Sequence, residues 1–411
     1  MKEAIIIGHN GQDGSYLFEL LAKLGYTVTG IGRESVSSTL AEIPSHIDLC
    51  QRDGIHALLA ARQPQEIYYL AAFHHSAEMD RPDDYNLLLN SLQIHTLGLL
   101  NLLDGVLRHA PKARVFYAAS SHLFGDPSES PQSEITTFQP RDAYGITKLA
   151  GVNLMRYYRD THGLYCACGI LYNHESPRRS PRFLTRKIVS TAVAIKRKHA
   201  NQLRLGDMSA KVDWGYAPDY VDAMWRILQL DTPDDFVIAS SRLHTVLDFV
   251  KIVFSLLDLD WRDFVVEDLS VITKQSAGKP LQGDFSKLRK MTGWSPRVDL
   301  PALVRIMVES ELAATDKTLI MIPTYNEAEN IEPIYRILAG LDLNVDFLFV
   351  DDNSPDGTGR IIDRLTAEAA NVHAMHRPHK MGVGAAHQDG IRWAYKQGYQ
   401  SLLTMDCDFT H

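Results

Sequence analysis

Tyr144 and Lys148 stand four residues apart in YGITK, a spacing that puts both on one face of a helix. A cation beside a phenol lowers its pKa, so the phenolate can take a proton from a sugar hydroxyl while hydride leaves the carbon. Ser120 lies at the end of the apolar run ARVFYAASS and offers a hydroxyl to the same oxygen. Two residues on, in AASSHLFG, comes His122. An imidazole with a pKa of about 6.5 can act first as a neutral base and then as a cationic acid. Tyr-x-x-x-Lys alone is a common string. It becomes specific when a strand ending in Ser-Ser precedes it and a nucleotide loop opens the same domain.

That loop is GHNGQDG. Gly8, Gly11 and Gly14 separate the apolar strand AIIIG from the helical stretch SYLFELLAKLGY, and Gln12 and Asp13 lie between them. Glycines here let a pyrophosphate approach the backbone, and the helix start supplies free N–H groups. A plain tight turn would explain one glycine, not three. The second strand, TVTGIGR, ends at Arg33, nineteen residues after Gly14. A carboxylate there would bind a ribose 2′-hydroxyl, whereas an arginine accommodates a 2′-phosphate, so NADP is expected over NAD. Asp48 and Leu49 are placed to reach the adenine. EIYYLAA, ARVFYAASS and YCACGILYN continue as strands with helices between them, which predicts an α/β Rossmann-type doubly wound parallel sheet. From Asn173 the pattern loosens into a smaller substrate domain, opening on HESPRRSPRF, read as a loop. A fresh strand, TLIMIPTYNE, starts at Thr318, so a boundary falls near residues 313–317, between a domain of residues 1–312 and one of 313–411.

Composition narrows the class. The chain has 411 residues and a net charge of −8, which disfavours nucleic acid as a partner. Cys50, Cys166, Cys168 and Cys407 lack paired metal-ligand spacing, and reduced core cysteines are expected; Cys166 and Cys168 would share a strand face. The N-terminus enters a strand at once, leaving no room for a signal peptide. No apolar run approaches the roughly 18 residues that span a bilayer, and a cytoplasmic protein is expected.

To about residue 312 the chain resembles the extended short-chain dehydrogenases that act on nucleotide sugars. Within them it is similar to the GDP-mannose 4,6-dehydratases, through GQDGSYL, GILYNHESPRR, FLTRKI and DWGYAPDYVDAMWRILQ. The resemblance implies bound NADP and a GDP-sugar substrate. It implies oxidation at C4, loss of water across C5–C6 and hydride return at C6, in homodimers or homotetramers packed through two long helices. It assigns Ser120, Tyr144 as general base and Lys148 as its helper. Ala71, His174 and Arg179 join the cofactor contacts, with Arg178 and Arg179 in a loop that covers it. Asn173, Arg186 and Lys187 fall to the substrate. Three positions depart from the family: His122 replaces a glutamate that removes the C5 proton and helps water leave, Val212 replaces an arginine, and Lys279 stands where an arginine would grip the diphosphate. His122 therefore has three readings: the dehydratase acid/base, a bystander in a C4 epimerase or ketoreductase, or a hydrogen-bonding residue only. A nucleotide-sugar-binding protein without turnover is a further alternative.

The C-terminal stretches IPTYNEAENI, VDDNSPDGTG, HKMGVGAA and MDCDFTH resemble, in that order, the start of dolichyl-phosphate mannose synthase-like family 2 glycosyltransferases, which have a GT-A fold. By resemblance Pro323, Tyr325, Glu327 and Asp352 contact the nucleotide. Asp406 and Asp408 form a D-x-D pair suited to Mg²⁺ or Mn²⁺ on a diphosphate. The relatives continue well past such a pair, so a donor half alone is expected here, as a truncated transferase or a nucleotide-sugar-binding remnant.

Overall fold

The computed structural model describes residues 2–32, 36–38, 47–73, 83–268, 279–314, 318–341, 343–399 and 401–407. They form two compact units, Met1–Glu311 and Leu312–His411. Among the described residues no helix is long and apolar enough to cross a membrane.

The first unit starts β1 (Glu3–Ile7), α1 (Gln12–Lys23), β2 (Thr27–Ile31), β3 (Val36–Ser38), α2 (Arg52–Arg62) and β4 (Glu66–Tyr69). Then come α3 (Asp84–Leu92), α4 (Gly98–His109), β5 (Arg114–Ser120), α5 (Ala143–His162) and β6 (Tyr165–Leu171). The smaller region adds β7 (Asn173–Glu175), α6 (Leu184–Lys196), β8 (Leu203–Leu205), β9 (Lys211–Tyr216) and α7 (Ala217–Ile227). It continues through β10 (Asp235–Ile238), β11 (Leu243–Thr245), α8 (Val246–Leu256), β12 (Val265–Glu267), α9 (Ser286–Thr292) and α10 (Leu300–Ala313).

Seven strands run β10-β6-β5-β4-β1-β2-β3. All neighbours are parallel except β3, which pairs antiparallel with β2, so the edge departs from the all-parallel expectation. The continuous apolar runs reflect burial on both faces. Ile5 and Ile7 join a cluster with Leu59, Leu99, Val152 and Met155 of α2, α4 and α5. Ala4 and Ile6 face Leu17, Leu21, Val221 and Met224 of α1 and α7. Each such isoleucine contributes about 1.5–3 kcal/mol on burial. Cys166 and Cys168 do share a buried face of β6 and are unpaired. Strand order reverses between β1 and β4, the switch point at which such sheets open a ligand crevice.

Two expected elements differ in detail. The helix read across SLQIHTLGLLNLLDGVLRH is interrupted at Gln93–Leu97 by a π-helical turn between α3 and α4. Asn173–Glu175, of which His174 and Glu175 were read as loop, pairs in register with Trp214–Tyr216 and forms a three-stranded sheet in the order β11-β9-β7. The smaller region has its own core, with Ile188, Phe249, Val253, Leu303 and Met307. Val212, on β9, packs against that core, where a charged side chain would be desolvated.

The second unit holds β13 (Thr318–Thr324), α11 (Ile331–Ala339), β14 (Val345–Asp351), α12 (Thr358–Glu368), β15 (Val372–His376), α13 (Val383–Gln397) and β16 (Ser401–Thr404). Its parallel sheet runs β15-β14-β13-β16. Ile320 and Ile322 face α11 and α12, while Leu319 and Met321 face α13.

Helix α5 carries Tyr144 and Lys148 and lies close on β5 because Gly151 sits on Tyr117. A Cβ at Gly151 would stand 2.3 Å from the Tyr117 hydroxyl. Gly151→Ala is therefore expected to destabilise the protein by about 1–3 kcal/mol. Denaturant unfolding measures this, and an unchanged midpoint would contradict such close packing of α5 on β5.

Candidate active site

A cavity of about 1080 Å³ opens at the carboxyl ends of β1, β4, β5 and β6. The glycine loop forms one wall. Gly8 has φ +94°, and a Cβ there would meet the Ala71 backbone nitrogen at 2.7 Å. At Gly14 a Cβ would stand 2.3 Å from the Gly8 carbonyl oxygen. Helix α1 starts with no side-chain cap at Gly11, which leaves first-turn N–H groups for an anion. These features fit the diphosphate of a dinucleotide. Gly11, Gln12, Asp13, Asp48, Leu49 and Ala71 also line the cavity. Arg33 lies outside the described residues.

Gln12, Asp13 and His174 are brought together, but as partners of one another. His174 donates from Nδ1 to the Tyr172 carbonyl at 2.7 Å and from Nε2 to Asp13 at 2.9 Å. Burial alone would push the imidazole pKa down, but the Asp13 carboxylate raises it above its ordinary value. In Asp13, burial pushes up and the His174 charge, with Arg179 behind it, pulls the carboxyl below its usual range. An ion pair thus ties the first turn of α1 to β7. Gln12 adds a bond to the His174 carbonyl at 3.1 Å and accepts one from Ser176 at 2.8 Å.

The opposite wall holds Ser120, His122, Tyr144 and Lys148, which all line the cavity. Ser120 ends β5, and its hydroxyl accepts the His122 backbone N–H at 3.2 Å. The His122 and Tyr144 rings meet edge-on with centroids 5.5 Å apart. His122 Nδ1 lies 2.9 Å from the Asp142 carboxylate. Lys148 is 1 % exposed and donates to the Ala118 carbonyl at 2.7 Å. Its ammonium lies 4.9 Å from the Tyr117 ring centroid and 5.7 Å from that of Tyr144.

Here the expected phenolate needs correcting. Although Tyr144 keeps a partly exposed edge, the packing around it pushes the phenol pKa up, and Arg179 is the charge that opposes this. Burial also pushes Lys148 down to about 7, against the pull of Asp13. Desolvation is the largest cause in both groups: it holds the proton on Tyr144 and loosens it from Lys148.

The histidine His95 was not foreseen. Buried in the π-helical turn, it accepts the Phe73 backbone N–H at 3.0 Å and so donates from Nδ1 to Thr147 at 2.8 Å. Its ring stands edge-on to Tyr144, centroids 5.1 Å apart. Asp142 was also missed; it starts α5 by accepting the Gly145 N–H at 2.8 Å. The string RDAYG, an aspartate just before a helical run, carried that signal.

Substrate-side expectations divide. Asn173, Arg179 and, unforeseen, Arg182 and Phe183 line the cavity. Arg186 and Lys187 do not; they lie on α6, where Arg186 pairs with Glu311 of α10. Lys279 is exposed and outside the lining. Arg178 turns back to α1, stacked 4.1 Å from the Tyr16 ring centroid.

In the second unit, Pro323 and Tyr325 follow the apolar part of β13, and Lys380 sits 3.7 Å from the Tyr325 ring centroid. Glu327 accepts from Asn330 at 2.7 Å. Asp352 is already engaged by Arg377 and by the backbone N–H groups of Met381 and Gly382 at 3.1 and 3.0 Å. Asp406 is exposed after β16, and Asp408 lies outside the described residues.

Lys148 gives the site a pH signature. Folded Lys148 loses its proton near pH 7 and the unfolded side chain near 10.5. Between these values the unfolded chain binds more protons, so this group makes stability rise with pH, by up to about 1.4 kcal/mol per unit. In nucleotide-free protein, Lys148→Met is expected to gain on wild type at pH 6 and lose that advantage by pH 9. Parallel denaturation curves across that range would contradict the burial of this ammonium.

Comparison with known proteins adds the family. The GDP-mannose 4,6 dehydratase model matches residues 5–307, and the glycosyl transferase family 2 model matches residues 319–411. GDP-mannose 4,6 dehydratase 2 of Caenorhabditis elegans is 37% identical over 348 residues, covering 76% of this chain and 89% of that protein. The Homo sapiens GDP-mannose 4,6 dehydratase is 35% identical over 344 residues, covering 75% and 91%. Among solved structures, RMD from Pseudomonas aeruginosa complexed with NADPH superposes with a TM-score of 0.66 at 20% identity, covering 76% of this chain and 99% of its own. The dTDP-glucose 4,6-dehydratase of Bacillus anthracis, in complex with NAD, gives 0.63 at 16% identity, covering 75% and 96%. These structural likenesses speak to the fold, whereas the sequence matches speak to descent. The chain belongs to the GDP-mannose 4,6-dehydratase family and carries a glycosyl transferase family 2 segment behind that domain.

Proposed function

We propose that the first unit is a nucleotide-sugar 4,6-dehydratase that converts GDP-mannose to GDP-4-keto-6-deoxymannose with NADP. The observation that carries this is the grouping of Ser120, His122, Tyr144 and Lys148 on one wall of a cavity whose other wall is the glycine loop. Gly8, Gly11, Gly14 and the start of α1 would hold the cofactor diphosphate, Asp48 and Leu49 the adenine, and Arg33 the 2′-phosphate. A nicotinamide bound there would supply the hydride acceptor for C4 and the hydride donor for C6.

The side chains do the rest. Tyr144 takes the C4 hydroxyl proton, with Ser120 hydrogen-bonded to the same oxygen. The raised phenol pKa means that proton transfer needs a cation nearby, and Arg179 is the one that acts on Tyr144. His122 takes the proton from C5 and delivers it to the C6 hydroxyl, which leaves as water. Asn173, Arg179 and Arg182 are the cavity groups suited to the sugar and its diphosphate. The second unit is read as a nucleotide-sugar-binding α/β layer. Its support is the placement of Tyr325 and Asp352 beyond the carboxyl ends of β13 and β14.

We also read the enzyme as a homodimer or larger. Tyr85, Leu89 and Leu92 on α3, with Ile146 and Tyr157 on α5, form exposed apolar surface suited to a second copy. Sedimentation velocity is expected to give at least a dimer, and a monomer at micromolar concentration would contradict this.

Incubation with GDP-mannose and mass spectrometry test the activity: the product is expected to be lighter by one water. Tyr144→Phe and His122→Ala are each expected to slow its formation about 100-fold or more. Unchanged GDP-mannose, or an isomer of equal mass, would overturn the reading.

A further inference from the structure

We propose that Asp142 is a positioning residue that, with His122, does the work of a single carboxylic acid in the elimination step. The inference rests on the dehydratase reading and extends it to a residue outside the expected set.

Asp142 divides its two oxygens. Oδ1 accepts the Gly145 N–H at 2.8 Å and caps α5. Oδ2 lies 2.9 Å from His122 Nδ1. An ionised carboxylate only accepts, so Nδ1 is the donor and the neutral imidazole keeps its lone pair on Nε2. The ring is held by more than this bond. It packs edge-on against Tyr144, and the His122 backbone is tied to Ser120. Both side chains remain partly open, at 39% and 31% exposure, and His122 lines the cavity. Nε2 is thus the basic atom presented to a ligand.

The chemistry balances. Nε2 takes the C5 proton, and the electron pair of that C–H bond becomes the C5–C6 double bond. The C6–O bond breaks with its pair on oxygen. Nε2–H returns the same proton to that oxygen, so water leaves and the imidazole is neutral again. Over this cycle the pair carries −1, then 0, then −1. A lone glutamate would carry the same charges. The positive imidazolium does not stand alone beside Tyr144, because the Asp142 carboxyl group lies 2.9 Å from its Nδ1. An imidazole with no carboxylate would instead cycle between 0 and +1, in a cavity that already holds the Arg179 and Arg182 guanidiniums.

Asp142→Asn separates positioning from capping. Asparagine is a good helix cap. If its oxygen stays on Gly145, its amide NH₂ faces Nδ1 and donates to it. The ring proton then moves to Nε2, which can no longer accept from C5. In ¹⁵N-labelled protein, the His122 ring is expected to carry its proton on Nδ1 in the wild type and on Nε2 in D142N. Formation of the dehydrated product is expected to fall about 100-fold in kcat, with KM little changed. In a His122→Glu background, D142N is expected to lose no activity, since a carboxylic acid needs no tautomer.

Nε2–H in the wild-type ring, or an equal loss from D142N in both backgrounds, would overturn the proposal and reduce Asp142 to a cap. If wild-type protein makes no dehydrated product, the dehydratase reading fails. The ring tautomer then still decides whether Asp142 positions His122.

Discussion

A lysine amine buried against a main-chain carbonyl sets the geometry of this cleft. Lys148 reaches from α5 to the Ala118 oxygen of β5 and lies against the Tyr117 ring. Removing an ammonium from water is expensive, and one hydrogen bond with aromatic contact offsets only part of that. The helix must therefore be held on the strand by other means. Gly151 on Tyr117, and the apolar packing of Val152 and Met155, provide them. With helix and strand fixed, Tyr144 and Ser120 follow, because each is within one turn or two strand positions of the anchor.

Charge control in the cavity uses paired groups. Asp13 with His174 and Asp142 with His122 are imidazole–carboxylate pairs, and Asp13, His174 and His122 line the cavity. The first is buried and locks the glycine loop to β7. The second is partly open and borders the reacting wall. Between them stands Tyr144, whose phenol keeps its proton in the surroundings described here. Such a site is poised rather than pre-ionised: deprotonation of the phenol has to be driven by charges arranged around bound ligand.

Much of this was legible in the sequence, for physical reasons. Apolar runs such as AIIIG report a sheet buried on both faces, and three glycines at one strand end report close approach of a ligand or chain. The spacing of Tyr144 and Lys148 needs only helical geometry. What was not legible depends on partners distant in the chain. Nothing near Arg186 announces Glu311, 125 residues on, which draws it to α10. The π-helical turn seats His95 against Phe73 and Thr147, partners that lie outside the local segment. The pKa direction of Tyr144 was misjudged because spacing gives proximity but not desolvation. Strand β7 escaped notice because its pairing with β9 lies in tertiary contacts.

GDP-mannose labelled with deuterium at C4 tests the central claim most directly. A cofactor held by the glycine loop would accept hydride from C4 and give it back at C6 in the same cavity, with His122 proposed to remove water in between. The label is expected in the C6 methyl group of the keto product, carried within one molecule. Label returned to C4 without loss of water would show epimerase-like chemistry and contradict the account.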